Sequence, residues 1–232
     1  MDSLDGPALF ALALTAMAAV EWMRAYYGTP PSPEIYTIAA AMAIAFLAYR
    51  LSQAASRNRR LTQGLQGERA VGQFLDHLRA KGYQVFHDIP AEGFNVDHVV
   101  IGRTGVFTVE TKTWSKPSRG RAQLRFDGRH IYRENGQAIT RPIEQARAQA
   151  AWLRNLLLEG TGKELRVFPI VAIPGWYIDQ PRAALQDIWV LEPKALVKFL
   201  QNEPSRLDVE TVRLAAFFLS RFVRSIERAR KR

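Results

Sequence analysis

The chain has 232 residues, enough for one sizeable domain with attachments. It contains no cysteine, which excludes disulfides and thiolate metal sites, and its four histidines lack the spacing of a zinc-binding helix. The formal net charge of +10 favours a polyanionic partner, either nucleic acid or an anionic membrane surface.

Two apolar segments lie near the start of the chain. Residues 7–20 are apolar throughout and residues 35–49 nearly so, and a loop with prolines and aromatic residues separates them. Each falls short of the roughly 20 residues that span a bilayer, but flanking residues extend them to about 8–27 and 34–51. We therefore predict a membrane anchor of two transmembrane helices within residues 1–55. Two buried core helices, or helices lying on the bilayer surface, are the alternatives.

The basic residues around these segments predict the orientation. Arg50, Arg57, Arg59 and Arg60 follow the second segment, whereas the loop between the two segments has only Arg24. The positive-inside rule puts the chain after the second segment in the cytoplasm, and a hairpin returns the N-terminus to the same side. The expected location is the inner cell membrane, as a multi-pass protein with both termini cytoplasmic.

The remaining sequence divides by composition into three parts. Residues 56–66 are polar and basic, and form either a linker or an extension of the preceding helix. Residues 67–191 have the periodicities of a globular domain, and residues 192–232 are predicted to form C-terminal helices with a basic tail.

Within the globular part, helical and strand periodicities alternate. In chain order they predict a helix ending near Gly82, strands at 83–89, 96–102 and 105–114, a basic hairpin, a helix after Pro142, and strands at 165–174 and 187–192. This order predicts an α/β fold with a mixed sheet covered by helices on both faces.

Three charged side chains are predicted to meet at one end of a strand hairpin. A two-residue turn at Arg103–Thr104 would join the two strands, and pairing outward from that turn puts Asp97 directly opposite Glu110. Lys112 shares a face with Glu110, because side chains two apart in a strand point the same way.

Two carboxylates this close repel each other unless a cation lies between them. Only oxygen donors are available, which suits a hard ion such as Mg²⁺. A metal held in this way can activate water for phosphodiester hydrolysis, and a neighbouring lysine can position that water or stabilise the developing charge. The alternative is a structural ion pair at the end of an edge strand.

Three stretches in order, GERAVGQFLDHL, NVDHVVIGRTGVFTVETKTW and RPIEQARAQAAWL, resemble the nuclease-related domain (NERD). That family belongs to the PD-(D/E)XK nuclease-like superfamily, and the resemblance covers roughly residues 64–175. It implies a restriction-endonuclease-like core and metal-dependent cleavage of DNA that leaves a 5′-phosphate.

The resemblance also implies roles for single residues. Glu68 matches the acidic residue of the first helix, Asp97 and Glu110 match the metal carboxylates, and the implied metal is Mg²⁺ or Mn²⁺. Lys112 matches the catalytic lysine, and Gln145 matches the glutamine of the following helix. The residue before Asp97 is valine where the superfamily is named for proline, a departure that is common in NERD sequences.

Simpler interpretations exist for several of these residues. Glu68 could only favour a helix N-terminus electrostatically, and Gln145 could lie on a solvated helix face. Trp114 could stack on a base or cover the sheet edge, and the second is favoured. His98 falls on the opposite face from Asp97 by alternation, so no catalytic role is assigned to it.

A basic segment at residues 116–133 follows the predicted site. Its side chains could hold phosphates without reading bases, which would give salt-sensitive and sequence-tolerant binding; the predicted contacts are Lys116, Arg119, Arg121, Arg125 and Arg129, with Arg133 at the end of the segment. The alternative is a solvated hairpin in a basic protein.

The sequence supports one leading function and two alternatives. The first is a membrane-anchored, metal-dependent nuclease that acts on DNA at the cytoplasmic face. The second is a non-catalytic, membrane-tethered module that binds nucleic acid or a protein with the same fold, and a weaker third makes the basic charge a lipid-surface contact. Cutting both strands of a duplex needs two sites, which a homodimer would supply; internal or terminal cleavage stays open.

Overall fold

The computed structural model describes residues 5–28, 33–91, 93–117 and 120–230. The chain forms two compact units, Met1–Asn58 and Arg59–Arg232. The middle of the predicted loop between the apolar segments, residues 29–32, lies outside the described residues, as do the last two residues of the basic tail.

The helices and strands follow the chain in this order. The helices are α1 (Asp5–Tyr27), α2 (Pro33–Asp76), α3 (Arg141–Thr161), α4 (Pro193–Asn202) and α5 (Val209–Arg230). The strands are β1 (Gln84–Pro90), β2 (Asn95–Gly102), β3 (Gly105–Thr111), β4 (Gln123–Phe126), β5 (Ile131–Tyr132), β6 (Ala138–Ile139), β7 (Val167–Ala172), β8 (Tyr177–Asp179) and β9 (Trp189–Leu191).

One helical segment has the properties of a membrane span. Thr37–Ala55 is long and apolar enough to cross a bilayer, and none of its residues is buried in protein. Within the described residues this is the one segment that meets both conditions. The segment predicted as the first span forms helix α1, and the hairpin of two spans stays a prediction. Apolar side chains such as Met42, Phe46 and Leu47 are exposed on this segment, as a lipid-facing helix requires.

Residues 56–66 belong to α2, so the helix-extension interpretation of the basic linker is the one that the structure adopts. The helix ends at Asp76, earlier than the predicted boundary. Gly82 then closes a short 3₁₀ turn at Arg79–Lys81 with a left-handed φ of 85°. Glycine adopts this conformation without a steric penalty, which is why the sequence turns here into β1.

The central sheet has the strand order β1-β2-β3-β7-β9. The first three strands are antiparallel neighbours, and β3, β7 and β9 run parallel to one another. Gly102 pairs with Gly105 across the turn, and the register continues to His98 opposite Val109. The mixed sheet and the two-residue turn are therefore confirmed.

Helices cover both faces of the central sheet, as predicted. On one face, Leu75 of α2 and Leu200 of α4 pack against Val100 of β2. On the other face, Leu153 of α3 and Leu219 of α5 lie in one cluster with other buried apolar side chains of β2 and β3. The C-terminal helices thus contribute to the same two cores as the rest of the unit Arg59–Arg232.

A second, smaller sheet has the order β6-β5-β4-β8. The predicted basic hairpin supplies β4 and β5, which pair antiparallel. The strands β6 and β8 were not expected from the sequence, and β8 joins β4 in parallel. On one face of this sheet, a third hydrophobic core forms with side chains from the start of α3. The sheet contributes Leu124, Phe126 and Ile131.

Candidate active site at the end of strand β3

The end of β3 is fixed beside the end of β7. The last paired residues are Thr111 and Ala172, and the backbone N–H of Lys112 then donates to the carbonyl oxygen of Ala172 at 2.9 Å. The side chain of Lys112 therefore leaves the sheet at a defined point, next to the first turns of α3.

Lys112 joins two of the predicted site residues. Its ammonium donates to Oε1 of Glu110 and to Oε1 of Gln145, the second at 3.1 Å. The lysine side chain is 27% exposed, whereas that of Glu110 is only 1% exposed. The amine therefore lies at the boundary between a buried carboxylate and solvent, where a substrate can reach it.

The second oxygen of Glu110 is held by a residue that sequence reasoning missed. Oε2 accepts a 2.5 Å hydrogen bond from the side-chain amide of Gln149, which also donates to the carbonyl oxygen of Asn95 at 3.1 Å. Gln149 is 1% exposed. The signal that could have found it is its position four residues after Gln145, which puts both amides on one face of α3.

Asp97 lies beside this pair, as the hairpin register predicts. Its Oδ2 accepts a 2.8 Å hydrogen bond from the backbone N–H of Thr111. Burial, and then the charge of Glu110, raise the pKa of Asp97 to about 7, although the Thr111 N–H opposes the shift. A cation placed next to this carboxyl group would stabilise its charged form.

Glu68 reaches the same group from α2. The preceding residue must be glycine, because an added Cβ at Gly67 would overlap the hydroxyl of Thr113, just beyond β3. Burial raises the pKa of Glu68, and the charges of Asp88 and Glu110 raise it further. Asp88, which has a left-handed φ of 50°, is a further carboxylate near the site that the sequence did not single out.

Of the five residues predicted for the active site, Glu110, Lys112 and Gln145 are joined by hydrogen bonds. Asp97 lies beside them, and Glu68 is near enough for the charge of Glu110 to act on it. The three carboxylates offer only oxygen donors and repel one another, which fits a hard divalent cation chemically. In the described part of the chain, no three acidic or histidine side chains are arranged closely enough to hold a metal as they stand. The ammonium of Lys112 instead neutralises Glu110.

His98 is excluded from this site, as alternation along β2 predicts. It is 4% exposed and its Nδ1 lies 2.8 Å from Nδ1 of His87, whose Nε2 lies 3.2 Å from Oδ1 of Asp76. Burial lowers the pKa of His98 to about 4, so the ring is neutral at physiological pH. Its partners belong to α2 and β1, away from Lys112.

The basic side chains of the segment after β3 are exposed where they are described, except that Arg133 is half-buried. Lys116, Arg121, Arg125 and Arg129 all have exposed side chains, and Arg119 lies outside the described residues. Trp114 is half-buried against the third core, its carbonyl oxygen accepts from the indole of Trp176, and the guanidinium of Arg133 covers its ring at 5.4 Å. Trp114 therefore covers the sheet edge in this arrangement.

Comparison with known proteins agrees with this geometry. The family described as "Nuclease-related domain" (NERD) matches residues 63–174. An uncharacterized protein of Bacillus anthracis is 39% identical over 57 residues, which is 22% of this chain and 27% of that protein. The chain thus spans about a quarter of that relative's length. No solved structure matches the chain significantly. Residues 63–174 of this chain, which hold all five residues grouped at the end of β3, are a nuclease-related domain.

Proposed function

We propose that the chain is a membrane-anchored, divalent-metal-dependent nuclease that hydrolyses phosphodiester bonds of DNA at the cytoplasmic face. The observation that carries this proposal is the partly exposed side chain of Lys112, held between Glu110 and Gln145 beside a second, half-buried carboxylate, that of Asp97. A purely structural ion pair between Lys112 and Glu110 does not need a further carboxylate, which repels Glu110. The nuclease-related domain match supports the same class of chemistry.

Asp97, Glu110 and Glu68 are the residues that would hold Mg²⁺ or Mn²⁺. When bound, such an ion lowers the pKa of a coordinated water and neutralises charge on the phosphate. In our proposal Lys112 positions the attacking water and stabilises the negative charge that develops on the phosphate oxygens. Gln145 orients the ammonium of Lys112, and Gln149 holds the carboxylate of Glu110 in place.

A second candidate function is a non-catalytic module that binds nucleic acid or a protein at the membrane. One observation favours it: both oxygens of Glu110 already have hydrogen-bond donors, from Lys112 and Gln149. If this arrangement persists when metal is supplied, the carboxylates cannot form a metal centre. Metal titration of the full chain, followed by cleavage assays, separates the two functions.

The proposed location rests on the span Thr37–Ala55 and on the arginines that follow it. The hairpin adds α1, which has 23 residues, as a second pass. Reporter fusions at the two ends of the chain test whether the chain crosses the membrane once or twice. A hairpin gives two cytoplasmic reporters, whereas a single pass gives reporters on opposite sides of the membrane.

A further inference from the structure

The small sheet has one buried and one exposed face. Leu124 and Phe126 of β4 point into the core, so the alternate residues of β4 point outward. With the neighbouring strands, the outer face carries Gln123, Arg125, Tyr132, Tyr177 and Asp179. This face is open to solvent on a strand pair that the nuclease chemistry does not use.

This face carries two tyrosines and one arginine. Tyr177 is 66% exposed and pairs with Gln123. Arg125 pairs with Tyr132, and its guanidinium lies 4.7 Å from the centre of that ring. A flat ligand stacked on the exposed ring of Tyr177 would remove its apolar surface from water, which lowers the free energy.

Two hollows lie along the outer face, and one of them includes a residue close to Lys112 in the chain. A groove of about 600 Å³ is lined by Arg121, Arg125 and Arg133, against the carboxylates of Glu134 and Asp179. A second hollow of about 430 Å³ shares Gln123, Arg133 and Glu134 with it and extends to Ser115 and Trp176. Ser115 is three residues beyond Lys112, about 10 Å of extended chain.

We propose that this outer face binds single-stranded DNA, with an unpaired base stacked on Tyr177 and phosphates held by Arg121 and Arg125. Only an unpaired base can offer a face for stacking on this ring, because a duplex buries the faces of its bases in its own stack. The groove then leads the strand to Lys112. This deepens the proposed function, since it names single-stranded DNA as the form of the substrate.

The test uses the full chain in detergent micelles with chelator present, so that no cleavage occurs. Fluorescence anisotropy compares labelled oligothymidylate with a duplex of the same length. The single strand is expected to bind at least about tenfold more tightly, and Tyr177→Ala to weaken its binding about fivefold to tenfold. Asp179→Asn removes a repelling carboxylate and is expected to strengthen binding about twofold.

The matched control is Phe217→Ala on α5, which removes another exposed aromatic ring (59% exposed) and leaves oligothymidylate affinity unchanged. Equal affinity for the duplex, or an unchanged affinity in both Tyr177→Ala and Asp179→Asn, overturns the proposal. Tyr177-dependent binding without any metal-dependent cleavage supports this DNA surface and refutes the nuclease. Cleavage that is insensitive to both variants supports the nuclease and refutes this surface.

Discussion

Gln149 donates its side-chain amide to Oε2 of Glu110 at 2.5 Å, while the ammonium of Lys112 donates to Oε1 of the same carboxylate. Glu110 is 1% exposed, so these two donors replace the water that the carboxylate would otherwise bind. A buried charge is tolerated only when it is paired in this way. Gln149 is therefore expected to stabilise the buried carboxylate of Glu110 and to fix its orientation.

The first prediction concerns this amide. Gln149→Met keeps the size of the side chain but leaves one oxygen of Glu110 without a donor. We expect the free energy of unfolding to fall by about 1–3 kcal/mol, the usual cost of an unsatisfied buried polar group. Urea denaturation of the full chain in detergent, followed by tryptophan fluorescence, measures the change.

The control for that experiment is Gln145→Met. Gln145 is only half-buried and its amide oxygen accepts from Lys112 rather than donating to a buried charge. Loss of the Gln145 amide should lower the free energy of unfolding by less than about 1 kcal/mol. Equal destabilisation by the two variants would show that Gln149 has no special role in holding Glu110.

The second prediction concerns the close contact between α2 and the end of β3. Gly67→Ala puts a Cβ into the hydroxyl of Thr113, whereas an added Cβ at Gly64, one turn earlier, meets nothing. We expect Gly67→Ala to destabilise the protein by about 1–3 kcal/mol and Gly64→Ala to stabilise it by up to about 1 kcal/mol. Thermal unfolding of both variants gives the comparison.

The double variant Gly67→Ala with Thr113→Ala sharpens this test. Removing the threonine hydroxyl takes away the nearest atom, so part of the lost stability should return. If Gly67→Ala is as harmless as Gly64→Ala, then α2 does not approach β3 this closely and Glu68 is not placed at the site.

The third prediction is a pH dependence from Asp97. Its pKa is about 7 in the folded protein against an ordinary 3.8, so the folded state retains a proton that the unfolded state has lost. Folding stability without metal must therefore fall as pH rises from about 4 to about 7. The upper limit of the loss is about 4 kcal/mol.

Asp97→Asn removes the titrating group and should flatten this pH profile, because the asparagine stays neutral throughout. Asp187→Asn, at an exposed position, is the matched control and should leave the profile unchanged. The profile is measured by urea denaturation at several pH values with chelator present. A wild-type protein that gains stability over the same interval would contradict the raised pKa.

The fourth prediction concerns the metal itself. Asp97→Asn and Glu110→Gln should each lower Mn²⁺ affinity at least about tenfold, because each removes one charged oxygen ligand. Isothermal titration with Mn²⁺ measures this without reference to cleavage. Asp187→Asn again serves as the control, and Mn²⁺ binding that none of these substitutions changes would place the ion elsewhere.

Local patterns in the sequence were sufficient to predict the centre of the site. The two-residue turn at Arg103–Thr104 and the alternating apolar residues fix the β2–β3 register, and that register puts Asp97 beside Glu110. The amphipathic pattern of α3 predicted the helix that supplies Gln145. These features depend on neighbours within a few residues of each other.

The features that were missed depend on distant partners. Strand β8 has three residues and pairs with β4, more than fifty residues earlier, so no local periodicity reveals it. Gln149 looks like any polar helix residue until Glu110 is placed against it. The first of the two predicted membrane spans stays a prediction, because composition alone does not show which apolar helix crosses a bilayer.

The central claim is that Lys112 acts in metal-dependent cleavage of DNA. The most direct measurement compares the cleavage rate of linear and circular single-stranded DNA by the full chain and by Lys112→Met, each with Mg²⁺, Mn²⁺ or chelator. Lys198→Met, an exposed lysine of α4, is the matched control. We predict cleavage that needs metal, falls at least about a hundredfold in Lys112→Met and is unchanged in Lys198→Met. DNA that stays intact with the wild-type chain in both metals, while that chain still binds it, would contradict a catalytic role for Lys112.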